Sequence, residues 1–103
     1  MKLIDPRQFR AGRAWGALEI MKVDGATVRL HWTDRPYRWH ANDGAEVFVV
    51  LAGEVVMHYR EAGEEKAARM RAGDIFLAEE GDAHCAEPVG EARVLVVERE
   101  GSV

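Results

Sequence analysis

Short apolar stretches separated by turn residues, roughly every 8 to 12 residues, are the feature that most constrains this sequence. The clearest turn signal is Asp24-Gly25, which separates two strand-like segments at 17–23 and 26–32. No segment shows a convincing helical period. The pattern therefore predicts an all-β fold, either a sandwich or a barrel, closed by strands at 46–52 and 93–98 that are apolar on both faces.

Length and composition limit the domain organisation. A chain of 103 residues predicts one domain that buries about two-thirds of its unfolded surface without needing a disulfide. We expect an N-terminal arm at 1–16, in which glycines argue against a long helix, and a barrel at 17–103. The single cysteine, Cys85, has no internal partner and is predicted to be a small buried residue.

Charge and hydropathy exclude several classes of partner. The net charge is −4, and 14 basic residues are scattered among 18 acidic ones, so we expect no nucleic acid and no anionic membrane as partner. The chain starts without a long apolar segment and has no apolar run near the roughly 18 residues of a membrane span. A cytoplasmic location is the expectation.

Candidate metal ligands occur in two stretches. In the first, His40 and Asn42 share one face of an extended segment, and the Asp43-Gly44 bend can bring Glu46 over that same face. The second stretch, 73–84, is a strand, a glycine turn and then His84. Two histidines and a carboxylate suit a divalent transition metal ion, namely iron, manganese, zinc, nickel or copper.

The two stretches resemble the motifs of small single-domain proteins in the cupin superfamily. The first family motif has the form G-x5-H-x-H-x3-4-E-x6-G, and the chain matches it at His40 and in the Glu46-x6-Gly53 spacing. The second has the form G-x5-P-x-G-x2-H-x3-N, and the chain matches its two glycines at 73 and 81 and its histidine at His84. Four positions depart from the pattern: Arg35, Asn42, Glu79 and Pro88 replace glycine, histidine, proline and asparagine.

The resemblance implies a jelly-roll-like β-barrel, a double-stranded β-helix, with one metal ion per chain at His40, Asn42, Glu46 and His84. The alternative is a barrel in which these side chains hydrogen-bond one another and hold no metal. Asn42 has three interpretations: a weak fourth ligand, a residue that orients a metal-bound water, or a turn former before Asp43-Gly44.

Three functions remain open, and no catalytic residue is identified. The first is a metal-dependent, oxygenase-like enzyme acting on a small organic molecule. The second is an isomerase or epimerase of a sugar or keto acid, for which the sequence offers no clear second carboxylate in the pocket. The third is a non-catalytic module that binds or senses a small molecule.

Other positions carry weaker expectations. His31 and His58 are predicted to be surface or rim residues, and Arg29 or Tyr59 could orient an anionic substrate. The cavity-lining candidates, each of which could equally be ordinary core, are Trp32, Phe48, Val50, Met57, Tyr59 and Leu77.

The outward faces of strands 47–51 and 94–97 are apolar and need cover, which predicts a homodimer formed by sheet packing. The alternative is that the arm with Leu3, Ile4 and Phe9 folds over its own barrel.

Overall fold

The computed structural model describes residues 1–102 and confirms the all-β, jelly-roll-like barrel. A single turn of 3₁₀-helix, Pro6–Gln8, precedes the strands, and Asp5 caps it by accepting a hydrogen bond from the Arg7 amide. The strands are β1 Gly16–Val23, β2 Ala26–Thr33, β3 His40–Ala41, β4 Glu46–Ala52, β5 Glu54–Glu61, β6 Glu64–Arg71, β7 Ile75–Ala78, β8 Ala83–Pro88 and β9 Ala92–Arg99.

The strands form two antiparallel sheets that enclose one core. The five-stranded sheet has the order β1-β2-β9-β4-β7, and the four-stranded sheet has the order β3-β8-β5-β6. Alternation along each strand sends one set of side chains between the sheets. The buried core combines the inward residues of both sheets: Phe48, Val50, Val55, Met57, Met70, Ala86, Ala92, Val94 and Val96.

Two tight turns explain how neighbouring strands pair. Asp24 and Gly25 both have positive φ, 48° and 81°, which is the type I′ geometry that matches the twist of a β-hairpin. Ala62 and Gly63 repeat this combination, 53° and 78°, between β5 and β6. The predicted Asp24-Gly25 hairpin is therefore confirmed, and the Ala62-Gly63 turn forms a second one.

Gly53, at the end of the first motif, meets two separate requirements for glycine. Its φ is 81°, a left-handed conformation that a residue with a Cβ adopts at a cost. A Cβ there would also overlap the carbonyl oxygen of Glu91, which begins the approach to β9. The motif glycine thus allows β4 to turn into β5 directly beneath β9.

The N-terminal arm covers part of the outer face of the five-stranded sheet. The Arg10 guanidinium lies 5.1 Å from the centre of the Trp32 ring, and Arg93 Nε donates to the Phe9 carbonyl at 2.9 Å. Leu30 and Trp32 are consequently buried on the outside of the barrel. Cover by the arm is the alternative that the sequence left open for this face.

The face of β2 that lines the cavity is the opposite of the one expected from Trp32. Trp32 was a cavity-lining candidate, but it packs on the outer face, whereas Arg29 and His31 on the opposite face line the interior. Leu77, another candidate, is 69% exposed on the outside of β7. In the part of the chain described, no helix is long and apolar enough to cross a membrane.

Candidate metal centre and its cavity

A cavity of about 200 Å³ opens between the two sheets. Its walls combine aromatic, histidine and carboxylate side chains, among them Trp15, Tyr37, His40, Glu46, His84 and Glu98. Of the predicted metal-site residues, His40, Glu46 and His84 face this space, and Asn42 contacts it through His84.

Backbone hydrogen bonds between the two motif turns bring the candidate ligands together. The Asn42 amide donates to the Asp82 carbonyl, and the Gly81 amide donates to the Asn42 carbonyl, both at 2.8 Å. β3 and β8 then pair so that His40 lies directly opposite His84. Residues more than forty positions apart in the sequence thus meet at one end of the barrel.

His40 is oriented as a metal-ligating histidine is. Its Nδ1 lies 3.2 Å from the Arg38 carbonyl and must donate the proton, because a carbonyl can only accept. This tautomer leaves the lone pair on Nε2, which is buried without a hydrogen-bond partner among residues 1–102. A second partner that fixes the tautomer in this way is the usual arrangement for a histidine ligand.

His84 lies at the centre of the cluster. Its ring centre is 4.6 Å from that of His40, and its Nε2 is 3.4 Å from Glu46 Oε1. Nε2 donates its proton to the Asn42 amide oxygen, so the free lone pair of the ring is on Nδ1, which is buried without a hydrogen-bond partner among residues 1–102. Burial and the nearby His40 lower the pKa of His84 to about 4, which keeps the ring neutral and able to bind a metal.

Asn42 contacts both a candidate ligand and the turn that follows it. Its Oδ1 accepts a hydrogen bond from His84 Nε2 at 2.7 Å, and its Nδ2 donates to the Gly44 carbonyl at 3.3 Å. The side chain therefore orients His84 and stabilises the Asp43-Gly44 bend together. It is 6% exposed, which places it inside the barrel rather than on a surface turn.

Glu98 is a site residue that the sequence reasoning missed. It is the cross-strand partner of Glu46 between β9 and β4, so both carboxyl groups face the cavity. Burial, followed by the hydrogen bond and the charge of Glu98, raises the pKa of Glu46 to about 8. At neutral pH Glu46 is therefore mostly protonated. The sequence does contain a signal for it: Glu98 lies two and four residues after the apolar Val96 and Val94, so alternation places all three on the same face of the strand.

The donor set fits a transition metal ion in chemistry, although it is not fully assembled. Each of the three predicted ligands carries a buried polar atom without a partner: His40 Nε2, Glu46 Oε1 and His84 Nδ1. Among residues 1–102, however, no three His, Cys, Asp or Glu side chains already surround one point as an ion's ligands. Glu46 is engaged with Glu98, so binding an ion requires Glu46 to lose its proton and the three side chains to move closer together, while His84 can keep its bond to Asn42.

Two histidines lie outside the candidate ligands. His31, expected at the surface or a rim, is half-buried, lines the cavity and bonds through Nδ1 to the Trp15 carbonyl at 2.9 Å. Burial lowers the pKa of His31. His58 is partly exposed, as predicted for a surface or rim residue, and it contacts Glu87 at 2.9 Å. Cys85 is the buried small residue expected, and its Sγ contacts the Tyr37 carbonyl.

Comparison with known proteins identifies the family. The cupin domain family matches residues 31–98, which include both motifs and the strand that carries Glu98. The chain belongs to the cupin family. A cupin-2 domain protein from Shewanella frigidimarina has a similar structure, with a TM-score of 0.77 over 87% of this chain and 85% of that one at 20% identity.

Two dioxygenases are also similar to this chain. Rat 3-hydroxyanthranilate 3,4-dioxygenase is 33% identical over 82 residues, which cover 80% of this chain and 26% of that protein. A hydroquinone 1,2-dioxygenase in complex with Fe³⁺ has a TM-score of 0.78 at 19% identity over 88% of this chain and 29% of that one. The chain thus spans about a quarter of the length of the curated relatives that it matches.

Proposed function

We propose that this cupin binds one divalent transition metal ion through His40, Glu46 and His84 and acts as an oxygenase-like enzyme on a small organic molecule. The observation that carries the proposal is the set of three buried polar atoms without partners on these side chains. Leaving such atoms unsatisfied costs about 1–3 kcal/mol each, and a metal ion would remove that cost. Two histidines with one carboxylate are the ligand set of non-haem iron oxygenases.

The dioxygenase similarity supports the reaction class. The relatives that match over most of this chain are 3-hydroxyanthranilate 3,4-dioxygenases, and a hydroquinone dioxygenase shares the fold. When bound, a redox-active ion supplies the electron transfer that lets an organic substrate react with dioxygen. The identity of the ion is open among iron, manganese, zinc, nickel and copper, with iron the choice that the relatives favour.

The protein's own side chains have defined tasks in this proposal. Asn42 holds the His84 ring, and the Arg38 carbonyl holds His40 in the tautomer that offers Nε2. Glu46 must release its proton before its carboxylate binds a cation, and the neighbouring Glu98 opposes that release. The aromatic walls formed by Trp15 and Tyr37 restrict water at the cavity and favour a flat ligand.

The His84→Ala variant tests the metal assignment. Loss of a direct ligand should weaken Zn²⁺ binding by at least ten-fold, about the cost of even an outer-shell change, as measured by competition with a chromogenic chelator. His58→Ala, which removes a surface histidine, is the matched control and should bind as the unchanged protein does. Equal affinity in both variants would refute the ligand assignment.

A non-catalytic binding module is the second candidate, favoured by the bonds that the donors already make. His84 with Asn42 and Glu46 with Glu98 form pairs that need no ion. Oxygen uptake after reconstitution with iron(II), in the presence of catechols and aminophenols, separates the two functions. Ligand-dependent increases in Tm without oxygen uptake would favour the binding module.

We also propose that the chain forms a homodimer through the outer face of its five-stranded sheet. The arm contacts β4 but leaves apolar residues exposed on both flanks of this face: Met21 at 59%, Ile75 at 63% and Leu77 at 69%. A self-complementary patch of this kind is commonly covered by a second copy. Light scattering after size exclusion should give twice the 11.5 kDa chain mass, and Leu77→Glu should reduce it to one chain. A single-chain mass for the unchanged protein would refute the dimer.

A further inference from the structure

The wall of the cavity formed by β2 carries a cation that neither the metal ligands nor Asn42 requires. Arg29 is half-buried and is the one Lys or Arg that lines the cavity within residues 1–102. Within residues 1–102 it makes no ion pair with a carboxylate, so its charge is available to a ligand in the cavity. Its charge is close enough to lower the pKa of the cavity residue His31.

The cavity offers two further features for binding a ligand. The Ser102 hydroxyl lines the cavity and has no hydrogen-bond partner in the described residues. Ser102 is only 7% exposed. Trp15 lines the cavity with φ at 61°, which is unusual for a bulky residue. Hydrogen bonds from Trp15 Nε1 to the Arg35 carbonyl and from His31 to the Trp15 carbonyl hold that conformation. Backbone strain held by specific bonds commonly occurs at ligand sites.

Size and shape narrow the class of ligand. A volume of about 200 Å³ equals roughly seven molecules of liquid water, so it admits one ring or a short chain and excludes a nucleotide or a peptide. The Trp15 and Tyr37 rings meet edge to face at 5.3 Å, and Tyr37 meets His40 in the same way at 5.2 Å. A continuous aromatic wall of this kind suits a planar molecule.

We infer that Arg29 anchors the carboxylate of a small planar organic acid, with the ring of that acid against the aromatic wall and the Ser102 hydroxyl available to a second polar group. The guanidinium matches a carboxylate in a two-point hydrogen-bonded pair, which a neutral amide cannot reproduce. This inference rests on the proposed function of the cavity as a small-molecule site, and it adds the chemical class of the ligand and the residue that selects it.

Benzoate and its neutral analogue benzamide test the inference on the Zn²⁺-loaded protein, which cannot turn over. Titrations followed by backbone amide NMR should show benzoate binding at least ten-fold more tightly than benzamide. Arg29→Gln should remove that preference while leaving benzamide binding within two-fold. Arg29→Lys keeps the positive charge but loses the two-point guanidinium geometry, so it should retain part of the preference for benzoate. It replaces the Gln variant in the test if that variant does not fold. Arg69→Gln, a charge removal on the exposed β6, should leave both affinities unchanged.

Three results would overturn the inference. These are equal binding of benzoate and benzamide, an unchanged preference in the Arg29→Gln protein, or inorganic phosphate displacing benzoate at lower concentration through Arg29. Zn²⁺ affinity, measured on the same samples, separates this failure from that of the proposed function. Tight Zn²⁺ binding that depends on His84, without a carboxylate preference, would refute the role of Arg29 and leave the metal site standing.

Discussion

The Glu98→Gln variant provides the sharpest test of the site, because it changes the protonation of Glu46 without removing a proposed ligand. In the present structure the pKa of Glu46 is raised from 4.5 to about 8, first by burial and then by the hydrogen bond and charge of Glu98. At pH 6 only about one Glu46 carboxyl in a hundred is then ionised, and a cation must displace the proton from the rest. Metal affinity should therefore rise steadily between pH 6 and pH 8.

Replacing Glu98 by glutamine removes the charge that opposes ionisation of Glu46 and leaves the burial unchanged. The pKa of Glu46 should fall, and at pH 6 each unit of that fall tightens Zn²⁺ binding ten-fold, up to about a hundred-fold. We expect about ten-fold at pH 6, since burial is the larger cause and persists. At pH 8.5 the carboxyl is mostly ionised in both proteins, so the variant should gain less than two-fold.

Chelator competition at pH 6.0 and pH 8.5 gives the ratio of the Zn²⁺ affinity of the Glu98→Gln protein to that of the unchanged protein. Protonation of the histidines affects both proteins equally and cancels in this ratio. Glu87→Gln is the control, since it removes an equal charge from β8 at the exposed pair with His58. A Glu98→Gln ratio that is the same at both pH values would refute the effect of Glu98 on the ionisation of Glu46. A variant that loses Zn²⁺ binding at both pH values would instead make Glu98 itself a ligand.

Two further substitutions test particular roles. Asn42→His should tighten Zn²⁺ binding by about ten-fold if the new imidazole joins the ligands; unchanged affinity in a folded protein would restrict position 42 to orienting His84 and stabilising the bend. Gly53→Ala should lower the free energy of unfolding in urea by more than the roughly 1 kcal/mol expected for Gly63→Ala, because both have positive φ but only Gly53 approaches a backbone oxygen. Equal losses in the two variants would contradict the steric argument at Gly53.

Local patterns were sufficient to predict the strands and the main candidate ligands. The Asp24-Gly25 turn fixes its hairpin because few residues other than Asp, Asn and Gly adopt positive φ at both central positions. A period of two places Glu46, Phe48 and Val50 on one face, and all three are buried. The spacing of His40 and His84 follows from the two turns, which the motifs specify by their glycines and short polar residues.

Features that depend on long-range pairing could not be predicted locally. Which face of β2 lies inside depends on the arm, because contacts from Arg10 and Phe9 bury Trp32 on the outer face and leave Arg29 and His31 for the cavity. The pairing of Glu46 with Glu98 depends on the register between β4 and β9, which lie far apart in the sequence. Alternation alone shows which residues of a strand share a face. It does not show which residue lies opposite on the next strand, or which of the two faces points into the barrel.

The buried pair of Glu46 and Glu98 lowers the stability of this end of the barrel in the absence of a cation. A carboxyl whose folded pKa is raised stabilises the fold fully only below its unfolded value near 4.5, and that contribution is lost as pH rises towards 8. In the metal-free protein at neutral pH the pair therefore opposes folding, by an amount on the order of a few kcal/mol. A glutamine at position 46 would avoid the penalty, and one at position 98 would reduce it. A bound cation would reverse its sign, since the ionised carboxylate then has a partner. The arrangement thus destabilises the fold in the region where a divalent ion would stabilise it, and metal should raise Tm more at pH 8 than at pH 6.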